Sequence, residues 1–342
     1  MNFKNKKILI TGNTGFVGGW LSLVLHQQGA KIMGISKKMS NKKYLSNTPD
    51  FKKNINTHYI DIENVKTIKK KIVNFKPEIV VHLASQPLVS IGYKNLMETF
   101  RTNVTGTINF FEEIKNLKSL KRILIFTSDK VYLEKKIKLK ETDNLGGNDP
   151  YSASKACQDI ISTLFSKRFF GEKKTTIVRA GNILGGGDWA KDRLLTDIIK
   201  SLKDKKVLKV RNPNAIRPWQ HIFDIIYAIM LILNNDQKKK LEIFNISSPG
   251  DCHIKVSKLL SLIKKINKKF KFRIVKSKFY ETQYLKLNSK KFMSKFNFRA
   301  SLKINNCIRN TMQWYENCYI GDKKINIYKY SKEQFTIYLK SI

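Results

Sequence analysis

The sequence predicts an α/β fold built on a doubly wound parallel sheet. Short apolar runs such as KILIT, KIMGIS and EIVVH alternate with amphipathic segments along the first half of the chain. This alternation is typical of strand-helix-strand crossovers, which place helices on both faces of a parallel sheet. A glycine-rich turn follows the first apolar run directly, as in sheets that bind a dinucleotide. The predicted architecture is therefore a Rossmann fold.

The elements of the predicted sheet follow in chain order. Each strand is a short run rich in Ile, Val, Leu or Thr, which suits strands that are buried on both faces. Each intervening helix carries apolar residues at helical spacing. The strands are KILIT, KIMGIS, THYIDI, EIVVHLAS, RILIFTS and TTIVRAGNIL, and the main helices run through WLSLVLHQQG, TNVTGTINFFEEIKN and PYSASKACQDIISTLFSKRFF.

The pattern of elements changes at about Gly185. Beyond it lie GGGDWAKDRLL, VLKVRNPNAIRPWQHI, the helices IFDIIYAIMLILNN and VSKLLSLIKKI, a strand FKFRIV and a final helix NNCIRNTMQWYENCY. These pieces predict a smaller, interleaved C-terminal substrate domain over the carboxyl tips of the sheet. Residues 1–180 and 219–249 are assigned to the dinucleotide-binding domain, and residues 181–218 and 250–342 to the substrate domain.

The chain is strongly basic, with a formal net charge of +40 at pH 7. A nucleic-acid-binding surface gathers basic residues in one stripe and interleaves aromatic side chains. Here the lysines are spread over the whole length, as in MNFKNKK, NKKYLSN and IKKINKKFKF. The pattern therefore favours solvated lysines, with no nucleic-acid partner expected, and an anionic nucleotide-bearing substrate suits the charge.

The sequence predicts no metal site, no disulfide framework and no membrane segment. Cys157, Cys252, Cys307 and Cys318 are scattered and show no CxxC spacing. The N-terminus has no apolar signal-peptide core before the first strand. The longest apolar run, IFDIIYAIMLIL, is shorter than the roughly 20 residues that span a bilayer. We therefore expect a cytoplasmic protein with reduced thiols.

The glycine-rich turn TGNTGFVGGW places Gly12, Gly15 and Gly18 between the first strand and the first helix. Glycines allow a tight turn and a close backbone approach to a pyrophosphate, which then sits at the helix N-terminus. Free N–H groups and the helix dipole favour an anion there. A turn can be glycine-rich for structural reasons alone, but the strand-turn-helix context predicts a dinucleotide site.

The sequence leaves the choice between NAD and NADP open, with NAD favoured. The second strand ends in Ser36, Lys37 and Lys38, where an NAD-binding unit usually carries an acidic residue. Ser36 can bond a ribose hydroxyl, whereas the two lysines can attract a 2′-phosphate. Asp61 follows the third strand and can bind the adenine amino group or cap a helix.

Two groups of residues with proton-transfer chemistry follow later strands. Tyr151 and Lys155 are four residues apart in PYSASK and so lie on one helix face. A lysine ammonium stabilises a nearby phenolate, which lets the tyrosine act as a base. Ser128, Asp129 and Lys130 follow the strand RILIF directly. They are either a surface ion pair in a solvated loop or a set of catalytic groups, and the presence of the other motifs favours catalysis.

Together these residues resemble the extended short-chain dehydrogenase/reductase family. Longer stretches narrow the resemblance to the CDP-glucose 4,6-dehydratases within it: HLASQPLV, ETFRTNVTGT, TSDKVY, PYSASK, RAGNILGGGDWAKDRL, RNPNAIRPWQH and the final QWY helix. The sharpest mark is Lys130 after Asp129, where most sugar-nucleotide 4,6-dehydratases carry glutamate. The chain departs from the pattern at Ser85, Ile91 and Gly92, and these departures bear on the sugar pocket more than on the chemistry.

The resemblance implies a redox-neutral dehydration, in which a hydride leaves sugar C4 and returns at C6 after water is lost. Tyr151, supported by Lys155, is then the oxidation base, and Ser128 bonds the C4 oxygen. Asp129 is the acid for the C6 hydroxyl, and Lys130 acts at C5. The alternative that Asp129 handles both protons stays open.

The resemblance also implies the residues that bind the cofactor and the substrate. The predicted NAD-binding set is Thr11, Gly12, Gly15, Phe16, Val17, Gly18, Ser36, Asp61, Ile62, Leu83, Ala84, Gln86, Thr127, Tyr151 and Lys155. The predicted sugar-nucleotide set is Asn182, Arg193, Arg211 and Arg217, where arginine suits a diphosphate because its planar fork donates two parallel hydrogen bonds. Salt bridges that stabilise the fold are the alternative role of these arginines.

The predicted function is therefore the NAD-dependent dehydration of CDP-D-glucose in deoxysugar synthesis for a surface polysaccharide. A dehydratase or 4-epimerase for another nucleotide sugar is the alternative among enzymes. A non-catalytic dinucleotide sensor or RNA-binding protein on the same fold is the alternative from another class. The family resemblance further implies a homodimer or homotetramer that pairs through the helices beginning near Thr102 and Tyr151.

Overall fold

The computed structural model describes residues 1–39, 44–248, 252–276, 280–321 and 325–342. The strands in these ranges are β1 (Lys7–Thr11), β2 (Lys31–Ser36), β3 (Asn56–Tyr59), β4 (Ile79–His82), β5 (Arg122–Phe126), β6 (Lys174–Ala180), β7 (Asn182–Leu184), β8 (Leu208–Val210), β9 (Ile216–His221), β10 (Leu241–Ile246), β11 (His253–Lys255) and β12 (Phe272–Ile274). Seven of them form one parallel sheet in the order β10-β6-β5-β4-β1-β2-β3. The predicted Rossmann fold class is confirmed.

Helices cover both faces of this sheet. They are α1 (Phe16–Gln27), α2 (Pro49–Asn54), α3 (Val65–Phe75), α4 (Val89–Lys94), α5 (Leu96–Phe100), α6 (Gly106–Ile114), α7 (Pro150–Arg168), α8 (Leu194–Lys203), α9 (Ile222–Asn234), α10 (Val256–Ile266), α11 (Lys290–Phe296), α12 (Ile304–Tyr315) and α13 (Ile327–Lys340). One π-turn, Arg101–Thr105, joins α5 to α6.

Alternate residues of the central strands enter two separate hydrophobic cores. In β1, Ile8 and Ile10 belong to the core beneath α1, α9 and α13, whereas Leu9 belongs to the core beneath α3, α6 and α7. All three side chains are fully buried. This arrangement explains why the strands are continuous apolar runs, because each face of the sheet packs against helices.

Strand order reverses at β1, which lies between β2 and β4. In open parallel sheets a crevice forms outside the carboxyl ends of the strands at such a reversal, because the flanking crossovers leave on opposite faces. The glycine-rich turn after β1 and the end of β4 therefore meet at the same edge. The serine-acid-lysine sequence after β5 lies on the next strand along that edge.

The predicted strand TTIVRAGNIL divides into two strands that belong to different sheets, which corrects that prediction. β6 ends at Ala180, and β7 begins at Asn182 and pairs with β9, which in turn pairs with β11. A Cβ on the intervening Gly181 would lie 2.6 Å from the Pro218 carbonyl oxygen. The close approach of β9 to this glycine takes the chain out of the parallel sheet.

The smaller sheets lie mainly in the segments that the sequence assigns to the substrate domain, but β9 runs from residue 216 to residue 221 and so crosses the boundary predicted at residues 218 and 219. β8 pairs with β12 in parallel, and β9 is the middle strand of the sheet β11-β9-β7. The sequence predictions did not include β10 or the C-terminal α13, which packs against α1. The domain boundaries remain a prediction, and the boundary at residues 249 and 250 lies outside the described residues.

A buried ion pair fastens α7 to the sheet. Asp159 of α7 accepts two hydrogen bonds from Arg179 of β6, at 2.9 Å from Nε and 2.7 Å from Nη2. Thr127 at the end of β5 donates to the same carboxylate at 3.0 Å. Arg179 also donates to the Tyr132 hydroxyl at 2.9 Å, so the charges are embedded in further hydrogen bonds.

Replacing Arg179 by methionine is expected to destabilise the protein by about 3–5 kcal/mol, because it leaves the Asp159 carboxylate buried without its counter-charge. The matched control is Arg101→Met, which removes the partner of Glu63 from an exposed pair and is expected to cost no more than about 1 kcal/mol. Urea unfolding gives both free energies of unfolding. Equal losses for the two variants would contradict the structural role of the buried pair.

Candidate active site

A cavity of about 580 Å³ opens at the carboxyl edge of the sheet. Its walls come from the turns after β1, β2, β4 and β5, from the start of α7, and from the segment between β7 and β9. The predicted site residues among its lining are Gly12, Gly15, Phe16, Val17, Gly18, Ser36, Ile62, Leu83, Ala84, Thr127, Ser128, Asp129, Lys130, Tyr151, Lys155, Asn182, Arg193, Arg211 and Arg217. Residues far apart in sequence thus converge on one cavity.

The glycine turn can pack this closely against its own backbone and the end of β4 only because it lacks side chains. Gly12 has a φ of +74°, and a Cβ there would lie 2.9 Å from the Ala84 backbone nitrogen. A Cβ on Gly18 would lie 2.2 Å from the Gly12 carbonyl oxygen. Helix α1 begins at Phe16 after Gly15, and no side chain caps its first N–H groups. These features form a cradle that suits an anionic group at a helix N-terminus.

Three residues of the predicted cofactor set lie outside the cavity lining. Thr11 is fully buried, and its hydroxyl is hydrogen-bonded to His82 at 2.8 Å. Asp61 forms an ion pair with Lys37 at 2.9 Å and accepts the Glu63 backbone N–H at 3.1 Å. Gln86 donates its side-chain amide to Thr99 at 2.8 Å and to the Leu88 carbonyl at 3.0 Å. Thr11 and Gln86 therefore form hydrogen bonds behind the cavity wall and do not line the cavity themselves.

The Ser128, Asp129 and Lys130 side chains lie at the tip of β5 in the cavity wall. A short 3-10 turn begins after Ser128, whose hydroxyl accepts the Lys130 backbone N–H at 3.2 Å and donates to Asp129 Oδ1 at 3.0 Å. Among the described residues, the other carboxylate oxygen of Asp129 is buried and has no hydrogen-bond partner. The turn therefore presents an unpaired carboxyl oxygen beside an amine.

Burial shifts the pKa values of the two charged groups of this turn toward one another. Burial raises the pKa of Asp129, and the neighbouring Lys130 opposes that rise in part. Burial lowers the pKa of Lys130, and the positive charge of Arg217 lowers it further. An elimination of water requires an acid and a base, and these two shifts act in the directions that favour a protonated carboxyl and a neutral amine.

Tyr151 and Lys155 reach the same cavity from the first turns of α7. Burial raises the pKa of Tyr151 to about 12, whereas a hydrogen bond with Ser128 and the charge of Arg193 act to lower it. Burial lowers the pKa of Lys155 to about 7, and Asp159 acts in the opposite direction. The Lys130 amine lies 5.9 Å from the centre of the Tyr151 ring. The phenol and the acid-amine pair therefore lie close together in the wall of one cavity.

The predicted sugar-nucleotide residues line the outer part of the cavity. Asp188 binds Arg193 at 3.1 Å and, because it lies beside the guanidinium, raises the pKa of Arg193. Arg211 lies 3.9 Å from Glu281, and Arg217 is only 5% exposed. Three arginines thus face one cavity, two of them beside carboxylates, and their guanidinium groups can donate hydrogen bonds to an anionic ligand.

Sequence reasoning did not identify Glu281, Asp188 or Gln158. Glu281 and Asp188 line the cavity beside arginines, and Gln158 contacts the Lys155 amine. Glu281 belongs to an irregular segment without a recognisable motif. The i,i+3 spacing of Lys155 and Gln158 was the one available signal, since it places both side chains on the same helix face.

Trp189, Trp219 and His221 lie near the site and make contacts within the fold. Trp189 packs edge-on against Tyr315 and Tyr319, with ring centres 5.3 and 4.8 Å apart. Trp219 is 4% exposed and donates to the Ile254 carbonyl at 3.3 Å. His221 accepts the Phe223 backbone N–H at the start of α9. All three side chains therefore have structural partners.

The fold and the site define a nucleotide-binding α/β protein with proton-transfer groups at the carboxyl edge of its sheet. The family model described as GDP-mannose 4,6 dehydratase matches residues 9–311. The CDP-glucose 4,6-dehydratase of Salmonella typhimurium is 37% identical over 240 residues, which are 67% of each chain. The UDP-glucose 4-epimerase of Mycoplasma genitalium is 24% identical over 92% of this chain and 97% of the relative.

The fold also matches solved structures. The dTDP-glucose 4,6-dehydratase of Bacillus anthracis in complex with NAD superimposes with a TM-score of 0.77 at 22% identity, over 91% of this chain and 96% of the other. The chain therefore belongs to the GDP-mannose 4,6-dehydratase family of sugar-nucleotide dehydratases and epimerases, within the extended short-chain dehydrogenase/reductases.

Two negative findings concern only the part of the chain that the structure describes. No helix in it is long and apolar enough to cross a membrane. No group of three or more His, Cys, Asp or Glu side chains in those ranges is arranged to hold a metal ion.

The substitution Gly18→Ala is expected to weaken dinucleotide binding by at least about tenfold, because the added Cβ forces the turn backbone to move. Gly19→Ala is the matched control on the next residue, since a Cβ there meets no atom closer than 3.8 Å. Titration with NADH, followed by its fluorescence, measures both affinities. Far-UV circular dichroism verifies that both variants fold. Equal affinities would remove the turn from the binding site.

Proposed function

We propose that the protein catalyses the NAD-dependent dehydration of CDP-D-glucose to CDP-4-dehydro-6-deoxy-D-glucose. The observation that carries the proposal is the convergence of Tyr151 with the Asp129-Lys130 pair on one cavity, with the Lys130 amine 5.9 Å from the phenol ring. One sugar ring bound against this wall of the cavity would have its C4 hydroxyl near the phenol and its C5–C6 bond near the acid and the amine. The roles of individual residues are part of the proposal.

The residues at the first two strand tips fit NAD. The glycine cradle and the uncapped N-terminus of α1 suit a pyrophosphate. Ser36 lies in the cavity wall and offers a hydroxyl to a ribose. Lys37 is engaged by Asp61, so a 2′-phosphate at this place would meet a carboxylate as well as the amine. The pairing favours NAD over NADP, and the similar Bacillus anthracis enzyme was solved in complex with NAD.

The first step proposed for the chain's own residues is the removal of the proton from the C4 hydroxyl. Tyr151 takes this proton, and the Lys155 ammonium lowers the energy of the phenolate that accepts the substrate proton. Ser128 holds the C4 oxygen. The chemistry that NAD supplies when bound is removal of a hydride from C4 and its return at C6.

The second proposed step is the loss of water across C5 and C6. The C4 ketone makes the C5 proton acidic, and Lys130 in its neutral form takes that proton. Asp129 in its protonated form donates to the C6 hydroxyl, which leaves as water, and a C5–C6 double bond remains. The raised pKa of Asp129 and the lowered pKa of Lys130 favour these starting protonation states.

A 4-epimerase for a nucleotide sugar is the second candidate, supported by the similarity to the Mycoplasma genitalium enzyme over nearly the whole chain. Epimerisation at C4 needs the tyrosine but no acid for a C6 leaving group. The buried, unpaired carboxyl oxygen of Asp129 in the cavity therefore favours dehydration. Cytidine as the base of the nucleotide rests on the similarity to the Salmonella typhimurium enzyme.

Incubation with NAD and a panel of nucleoside diphosphate sugars tests the proposed function. CDP-glucose is expected to yield a product lighter by the mass of one water and with the alkaline absorbance of a 4-keto sugar. UDP-glucose, dTDP-glucose, GDP-mannose and CDP-glucose are compared at equal concentration. Preferred turnover of another nucleotide would correct the substrate, and a product of unchanged mass would establish an epimerase.

The variant Lys130→Met tests the proposed base. If Lys130 removes the C5 proton, solvent deuterium incorporation at C5 falls by at least about 100-fold in the variant, in line with the loss of a general base. C4 oxidation persists and is seen as transient NADH absorbance. Lys136→Met on the same loop, an exposed lysine outside the cavity lining, is the matched control. If deuterium exchange at C5 were undiminished in Lys130→Met, Asp129 would be the base instead.

Self-association through α6 and α7 is a further part of the proposal. Ile160 and Leu164 lie one turn apart on α7 and are 55% and 49% exposed, which suits a helical interface with a second copy of the chain.

A further inference from the structure

A chain of buried polar side chains extends from Lys155 away from the cavity. The Lys155 amine donates to Gln158 Oε1 at 2.5 Å and to the Phe126 carbonyl at 3.2 Å. Gln158 Nε2 lies 3.0 Å from the Thr107 hydroxyl, which lies 3.1 Å from His82 Nε2. These side chains are all at most 2% exposed. The chain connects α7, α6 and β4.

Proton counting fixes the direction of every hydrogen bond in this chain. The Thr107 hydroxyl has a single proton and donates it in a hydrogen bond to the Asn103 carbonyl oxygen, which lies 2.8 Å from Thr107 Oγ1. Thr107 can therefore only accept hydrogen bonds from its other neighbours. His82 Nε2 is therefore protonated and donates to Thr107. Burial lowers the pKa of His82 to about 3, so the ring is neutral and its Nδ1 accepts from the Thr11 hydroxyl. The Ala84 N–H donates to that hydroxyl in turn.

The same counting fixes the side-chain amide of Gln158. Because Thr107 can only accept from it, the Gln158 NH₂ group must point to Thr107, and the carbonyl oxygen must point to Lys155. A flipped amide would place an N–H donor against the ammonium and leave Thr107 facing an acceptor. Both contacts would be unfavourable in a buried site.

We propose that Gln158 is a positioning residue for Lys155, held by the Thr107–His82–Thr11 chain so that its carbonyl oxygen anchors the lysine ammonium. Two of the three lysine N–H groups then donate hydrogen bonds to the Gln158 side chain and the Phe126 carbonyl. The third remains for the cavity, where the phenol of Tyr151 and a bound cofactor are expected. An acceptor at Gln158 also stabilises the charged form of Lys155, which counteracts the burial of the amine.

The other charged and titratable groups around Lys155 lie on α7, β4 and β6 and at the tip of β5. Asp159 on the same helix favours the charged lysine, but Arg179 of β6 already neutralises it. His82 of β4 is neutral, and Tyr151 lies one turn earlier on α7. Asp129 and Lys130 lie on the β5 tip in the wall of the same cavity. The neutral acceptors in contact with the amine are the Gln158 side chain and the Phe126 backbone carbonyl, and of these only Gln158 is a side chain that a substitution can remove.

The inference deepens the proposed function but is tested without turnover. Protein labelled with ¹³C at the lysine ε-carbon is titrated by NMR without NAD or substrate, and the Lys155 signal is identified by its loss in Lys155→Met. The wild-type midpoint is expected near pH 7. Gln158→Leu is expected to lower it by about one to two units, the effect of losing one hydrogen bond to a buried charge. Gln158→Glu is expected to raise it.

Ser162→Ala is the matched control, because it removes a buried hydroxyl one turn later on α7 whose partner is the Gln158 backbone carbonyl. Its midpoint is expected to equal that of the wild type. If Gln158→Leu does not fold, Thr107→Val replaces it, since it frees the Gln158 amide to flip and lowers the midpoint in the same direction.

An unchanged midpoint in Gln158→Leu, or in Thr107→Val where that variant replaces it, would overturn the inference. An equal shift in Ser162→Ala would do the same. Absence of CDP-glucose turnover in the wild type would defeat the proposed function and leave the titration result intact. In active protein, Gln158→Leu is expected to lower kcat, to leave KM nearly unchanged, and to move the alkaline limb of the kcat profile to lower pH.

Discussion

The buried ion pair between Asp159 and Arg179 is the interaction on which the geometry of the site depends. It binds α7 to β6, and the Thr127 hydroxyl joins the same carboxylate from the end of β5. The helix that carries Tyr151 and Lys155 is thereby held against the strand that ends in Ser128, Asp129 and Lys130. A buried charge pair contributes little net stability once its desolvation is counted. Its value here is positional, because it fixes two proton-transfer groups relative to one another.

Burial shifts the pKa values of the proton-transfer groups that the Asp159–Arg179 ion pair holds in place. The cavity lies where strand order reverses, so its inner wall is made of strand ends that are already dry. Low polarity raises the pKa of Asp129 and lowers those of Lys130 and Lys155, each toward neutrality. The phenol of Tyr151 moves in the opposite sense, to about 12. The tyrosine therefore depends on the positive charges around it, whereas desolvation is the main cause of the pKa shifts of the acid and the amine.

Most of the sheet and the inner part of the site could be predicted from the sequence, because both are local patterns. Apolar runs identify strands buried on two faces, and a glycine turn or a tyrosine and lysine four residues apart carry their geometry with them. The division of TTIVRAGNIL at Gly181 could not be predicted, since it depends on the approach of Pro218 from another segment. Glu281 and the Thr107–His82–Thr11 chain were missed for the same reason, because tertiary contacts create them.

The passage from β6 to β7 through the single residue Gly181 limits how the two sheets can move relative to one another. A hinge needs several residues whose dihedral angles can change together, and here one glycine lies against the Pro218 carbonyl. Rigid-body closure about this crossing is therefore restricted. Admission of a bulky ligand and release of its product fall instead to the loops at the rim, so those loops would govern residence time.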